Sequence, residues 1–128
     1  YRGGKEQGRW MGWFRGGAKR FEGRYDKGAQ AGRWTTYHEG GKRASQGRYD
    51  NGKRSGRWTY WHRNGAKKDE GSFAGGLHVG QWTSFYDDGK KRSAGAFLGG
   101  KRDGVWLWWR RDGSEWMRRT YRKGRESR

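Results

Sequence analysis

The chain has 128 residues, with 31 Lys and Arg against 13 Asp and Glu, a formal net charge of +18. It contains no cysteine, which excludes disulfides and thiolate metal sites, and no apolar run is long enough to span a bilayer. The apolar content is mostly aromatic, 10 Trp, 7 Tyr and 5 Phe with no Ile, which excludes a thick two-layer core built from rows of branched aliphatics.

Tyr1 stands in mid-repeat, so the chain reads as a piece of a longer protein; Tyr1 and Gly4 fit the end of an incomplete unit over 1–7. From there a period of 24 residues sets in, marked by Trp10, Trp34, Trp58, Trp82 and Trp106. Within each unit a glycine stands two residues before the Trp (Gly8, Gly32, Gly56, Gly80, Gly104). Another aromatic follows three after it (Trp13, Tyr37, Trp61, Phe85, Trp109). Then come a glycine (Gly17, Gly41, Gly65, Gly89, Gly113), a second phased glycine (Gly23, Gly47, Gly71, Gly95) and an aromatic (Tyr25, Tyr49, Phe73, Phe97, Tyr121). The units are 8–31, 32–55, 56–79 and 80–103, with a divergent unit over 104–128. Self-similarity of this kind signals a repeat array whose units touch mainly their neighbours.

Glycine every few residues is poor for helix. Aromatic runs bounded by turn dipeptides read as strands and hairpins. Asn64-Gly65, Asp88-Gly89 and Asp112-Gly113 mark one turn per unit; Asn51-Gly52, Gly75-Gly76 and Gly99-Gly100 mark the other. The expected fold is all-β: an elongated single-layer antiparallel β-meander of about five 24-residue hairpin repeats. Roughly ten strands at ~4.8 Å each give a length of about 48 Å. Trp34 and Thr36 share one face, and Thr35 and Tyr37 the other unless a bulge intervenes. Tyr25, Tyr49, Phe73 and Phe97 fill the gaps between successive tryptophans, and the phased glycines let rings lie flat on the backbone.

Residues 32–42 (Gly-Arg-Trp-Thr-Thr-Tyr-His-Glu-Gly-Gly-Lys) and 47–58 (Gly-Arg-Tyr-Asp-Asn-Gly-Lys-Arg-Ser-Gly-Arg-Trp) resemble MORN repeats. More narrowly, they are similar to the bacterial MORN-variant repeats of YwqK-type proteins, described as antitoxin-like. The resemblance runs from Tyr1 to about Gly124. It implies an elongated hairpin array, a scaffolding or partner-binding role with some membrane-proximal members, and, in its antitoxin form, a protein toxin as partner. This chain departs from the pattern in its basicity, and after Trp116, where Arg119 takes the place of a phased glycine.

Little in the sequence points to catalysis, cofactors or metals. Gly47-x-x-x-x-Gly52-Lys53 and Gly95-x-x-x-x-Gly100-Lys101 imitate a phosphate loop. Arg54 and Arg102 stand where such a loop needs Ser or Thr, and no helix is expected to follow. His38 and His62 share a phase but lie two strands apart, too far to share a metal with ease. They read as surface histidines on a sheet. No nucleophile–base set stands out from the repeat, so the chain reads as a non-enzyme.

The basic charge is spread over all units. Arg9, Arg33 and Arg57 precede the phased Trp, and Lys19-Arg20, Lys42-Arg43, Lys67-Lys68 and Lys90-Lys91-Arg92 follow the turns. Such a ladder suits a polyanion, either nucleic acid or an anionic membrane surface. It equally serves solubility and protection of a thin sheet. Val105-Trp106-Leu107-Trp108-Trp109 is apolar on both faces of its strand. With Trp116 nearby, it either packs locally on a missing or decayed final unit or forms a partner or self-association surface, the reading preferred here, with Trp106, Trp108 and Trp109 as the best anchors. The expected partner is an acidic protein, with nucleic acid or anionic lipid as the alternative, and sheet edges offer a route to self-association.

Overall fold

The structure, a computed structural model, describes residues 8–127; the expected partial unit over 1–7 lies outside the described residues. The chain folds into eleven strands: β1 (Gly8–Trp13), β2 (Lys19–Asp26), β3 (Ala29–Tyr37), β4 (Arg43–Asp50), β5 (Lys53–Trp61), β6 (Lys67–Ala74), β7 (Leu77–Phe85), β8 (Lys91–Leu98), β9 (Lys101–Trp109), β10 (Glu115–Arg122) and β11 (Arg125–Ser127). They pair in sequence order in one antiparallel sheet. β1 and β11 are its outermost described strands.

Two kinds of turn alternate. The tight turns are two residues long with both at positive φ, as at Asn51 (50°) and Gly52 (81°) between the paired Asp50 and Lys53. That conformation matches the twist of the flanking strands and explains the Asn-Gly and Gly-Gly dipeptides. The wider turns close on a bond such as His62 N to Ala66 O at 2.8 Å. Both turn types are tied to a neighbouring unit, the tight turns to the preceding one and the wider turns to the following one. Gly52 N donates to Gln30 O (2.9 Å) and Gly76 N to Arg54 O (3.0 Å) on one border. On the other, His38 Nε2 donates to Trp61 O (2.8 Å) and His62 Nε2 to Phe85 O (2.9 Å). The shared phase of these histidines therefore has a structural cause, since each staples its unit to the following one.

One face carries the packing. An alanine Cβ at Gly23, Gly47 or Gly71 would lie 2.1 Å from the ring of Trp34, Trp58 or Trp82, and one at Gly95 would lie 2.2 Å from Trp106. Each indole thus lies flat on the backbone of the preceding unit, where only glycine leaves room. Its N–H donates at 2.9–3.0 Å to the carbonyl of the next residue, Arg24, Arg48, Ser72 or Ala96. Tyr25, Tyr49, Phe73 and Phe97 stand edge-on between successive indoles, with ring centroids 5.0–6.3 Å apart from Trp10 to Trp106. This zipper is the core: Trp34, Trp58, Phe73, Trp82 and Trp106 are buried. Arg119, opposite Trp106, takes the glycine phase.

The ladder is not regular, which the sequence pattern does not anticipate. Between β2 and β3, Glu22 pairs with Thr35 but Arg24 pairs with Ala31. Two residues of one strand are matched by four of the other. Gly32, at φ 67°, absorbs the excess, and the same irregularity recurs at each junction between units. A second shift lies between Thr36 and Tyr37.

Candidate functional site

The face opposite the indoles is basic over its first five strands. Arg9 pairs directly with Arg24, and Arg33 with Arg48; Arg57 follows on β5, opposite Ser72. One exposed arginine thus stands on each of five consecutive strands, a comb about 19 Å long at ~4.8 Å per strand. Its two end members have acidic partners. Arg9 Nη2 is 3.4 Å from Glu22 and Arg57 Nη2 is 3.5 Å from Glu70. The guanidiniums of Arg24, Arg33 and Arg48 have none among the described residues. Arg9, Arg24, Arg33 and Arg48 rim a cleft of about 510 Å³ whose floor includes Gly32, Thr35 and Gln46. In the following units the equivalent positions are uncharged: Gln81 opposite Ala96, and Val105 opposite Thr120.

Sequence reasoning found Arg9, Arg33 and Arg57 but missed Arg24 and Arg48. Their phase continues as Ser72, Ala96 and Thr120, so it does not repeat as charge. The signal that exposes them is the antiparallel register, which sets each opposite an arginine already noted.

Glu22 organises the near end of this face. It accepts a hydrogen bond from the Tyr37 hydroxyl at 2.7 Å and lies 3.4 Å from both Arg9 and Lys19. The Tyr37 hydrogen bond, aided by the two cations, holds its carboxyl below the usual range, and the same bond pushes the Tyr37 hydroxyl up. The basic clusters after the turns do not form one stripe. Lys19, Arg43 and Lys91 lie over the rings of Tyr37, Trp61 and Trp109 at 5.7, 4.5 and 6.0 Å. Arg20 lies over Phe14 at 6.0 Å. Lys42 donates to Asn64 O at 3.0 Å and Lys67 pairs with Glu70 at 3.1 Å. Lys68 and Lys90 are exposed, and Arg92 lines a groove on the indole face. Many of these cations cover rings with their stems, which is what a thin sheet requires of them.

Of the tryptophans expected to anchor a partner, Trp106 and Trp108 meet ring to ring, while Trp109 and Trp116 stand elsewhere. Trp106 is 4% exposed, seated on Gly95 as its copies are on their glycines. The expectation of a contact residue there is corrected: it is core. Trp108 stacks over it at 6.0 Å and is half-buried. Trp109 is half-buried beneath Lys91. Trp116, skipped by the register between Glu115 and Met117, is 49% exposed. The segments that imitate a phosphate loop are absorbed by the repeat, Gly47 beneath Trp58 and Gly52 in a tight turn.

Residues 30–51, which run from β3 through β4 into the tight turn, match the family model described as MORN repeat variant. No curated protein matches the chain. The match covers about one hairpin of the array and shows that this unit is similar to a MORN repeat variant; MORN repeats are generally non-enzymatic scaffolds that bind proteins or membranes.

Proposed function

We propose that this chain is a non-enzymatic repeat scaffold that holds an acidic protein partner against its arginine face. The observation that carries this reading is the trio Arg24, Arg33 and Arg48, exposed on adjacent strands without acidic partners. Like charges directly opposite on a sheet destabilise it. The array tolerates two such pairs although acidic residues at the same face serve Arg9 and Arg57. Carboxylates of a partner would relieve that repulsion and accept bidentate bonds from the guanidiniums, while the excess charge would speed encounter. An antitoxin-like role is the narrower form of the reading, with an acidic toxin as the partner.

The regular spacing of the comb favours a second reading, in which a chain of phosphates runs along the sheet, from nucleic acid or from the surface of an anionic membrane. The test measures binding of the full chain to an acidic globular protein, a single-stranded oligonucleotide and anionic vesicles across a salt series. The variant Arg24→Gln/Arg33→Gln/Arg48→Gln is run beside it. The first reading expects the acidic protein to bind and the variant to lose that binding. A dominant oligonucleotide signal, with a log–log salt slope near −0.7 per phosphate contacted, would replace it with the second. Equal binding by variant and parent would remove the arginine face from both.

A further inference from the structure

On the opposite face, away from the arginines, we infer that the basin around Asp69 is a binding site for a neutral polyhydroxylated ring, such as one sugar residue of a glycan. The argument begins with a gap in the aromatic stacking. Phe21 stacks on Trp34 at 5.9 Å, Tyr60 on Trp58 at 6.0 Å and Trp108 on Trp106 at 6.0 Å. Trp82 has no such aromatic carbocycle over it; the smaller imidazole of His78 lies against it at 4.5 Å, and the indole is 7% exposed. The phase that supplies Tyr60 and Trp108 supplies Ser84 here, and the phase of Phe21 supplies Asp69. Tyr60, Asp69, Ser84 and Ser93 are successive cross-strand partners. They form the floor of a basin of about 350 Å³ that opens over Trp82, at the small end of the range for small-molecule sites.

Asp69 breaks the repeat in kind, since its phase otherwise carries Phe21, Ser45, Ser93 and Met117. Its carboxyl is half-buried, and that burial pushes its pKa up. No hydrogen bond or ion pair holds it among the described residues, in a chain of net charge +18. His78 stands beside it among the rings of Phe73, Trp82 and Phe97 at 4.6, 4.5 and 4.9 Å. Burial pushes this imidazole down, so at neutral pH it offers one donor and one acceptor. Arg54, Arg92 and Arg102 line the rim.

This mixture selects its ligand by elimination. A cation would meet the three guanidiniums, and an anion would meet the Asp69 carboxylate. An apolar group would strand that carboxylate without water. Adjacent hydroxyls on one ring can donate to Asp69 and accept from an Arg or His N–H at once, and the C–H face of the ring can lie against the half-buried Tyr60 that lines the basin. A neutral diol satisfies both signs of the site.

The test uses saturation-transfer NMR and calorimetry on the full chain, with maltotriose, cellotriose and chitotriose as neutral probes and arginine amide and citrate as charged ones. Asp69→Ser installs the residue that the same phase carries at Ser45 and Ser93, so it suits the fold; a denaturation curve checks this. Ser45→Ala alters the neighbouring basin and serves as control. The expected result is transfer to at least one trisaccharide, weakened about tenfold or more in Asp69→Ser, as loss of a charged hydrogen-bond partner implies, and unchanged in Ser45→Ala. Silence from all three sugars would overturn the inference, as would equal binding by Asp69→Ser or preference for arginine amide or citrate.

Discussion

Gly47→Ala tests the packing principle of the array at its tightest point. The new Cβ would lie 2.1, 2.2 and 2.4 Å from Cδ2, Cε2 and Cγ of Trp58. Gly47 pairs with Trp34 on one side, and its neighbours Gln46 and Arg48 pair with β5 on the other, so the indole must lift. Overpacking alone costs about 1–3 kcal/mol. Lifting the ring also strains the bond from Trp58 Nε1 to Arg48 O, now 3.0 Å, worth about 1 kcal/mol. It also exposes part of a side chain that is 2% exposed. The total is about 3–5 kcal/mol, measured by urea denaturation followed by far-UV circular dichroism. Gly56→Ala is the comparison: its Cβ meets nothing within 4 Å, but φ is 69°, so the cost is the left-handed penalty alone, about 1–2 kcal/mol. Trp58→Ala completes a double-mutant cycle. That change costs about 3–5 kcal/mol by itself, yet with the indole gone an alanine at 47 should cost almost nothing more. Additivity of the two changes within about 0.5 kcal/mol would refute the claim that glycine is there to seat the ring.

Three further predictions concern charge. Glu22 is held below its ordinary 4.5 chiefly by the Tyr37 hydrogen bond, so its stabilisation is present above that value and is lost as pH falls through the lower folded one. Tyr37→Phe should therefore cost about 1–2 kcal/mol at pH 7, a gap that closes in acid; a gap independent of pH would point to ring packing instead. Asp69 has the opposite sign: raised by burial above 3.8, it is best tolerated below the unfolded value, and that stability is lost as pH rises through the folded value. Asp69→Ser should then gain about 1 kcal/mol at pH 7 and nothing at pH 3, compared by thermal unfolding at the two pH values. Arg48→Gln removes one member of the pair with Arg33 and should raise stability by about 0.2–1 kcal/mol in low salt, with the gain gone at 1 M; a loss at low salt would mean that these guanidiniums are not in repulsion.

The period, the two turn types and the composition of the packing face were legible because glycine and ring positions recur in phase, and both have a direct cause in turn geometry and close approach. Trp34 with Thr36 on one face, and Thr35 on the other, followed from simple alternation. The irregular junctions did not. Gly32 is visible in the sequence, but the strand against which it shifts register is a matter of pairing. Trp106 was misread because a run of apolar residues looks like a surface anchor, whereas its phase makes it the equivalent of Trp34. Arg24 and Arg48 escaped because their phase loses its charge after β4, and Asp69 because a single departure in one phase stands out only when the neighbouring rings show what is missing.

The two faces obey different constraints, and that bears on the meaning of the charge. Glycines and indoles fix one face from β1 to β9, since changing either disrupts the stack. The arginine face takes no part in that stack, so folding places few demands on it. If solubility alone had set its composition, charge would be spread evenly along a repeat this uniform. Instead Arg9, Arg24, Arg33, Arg48 and Arg57 cover β1 to β5, Gln81, Ala94, Ala96, Val105 and Leu107 cover β7 to β9, and charge returns on β10 with Arg118, opposite Leu107 and paired with Glu115. Val105 is 49% exposed. The backbone repeats under both halves, so the change of character is not imposed by the fold. A surface with a basic stretch over β1 to β5 and a neutral to apolar stretch over β7 to β9 does not read the same in both directions. The proposed partner would lie with its acidic end over β2 to β4 and a less polar end over β7 to β9, an orientation that a uniform ladder of lysine and arginine would leave undefined.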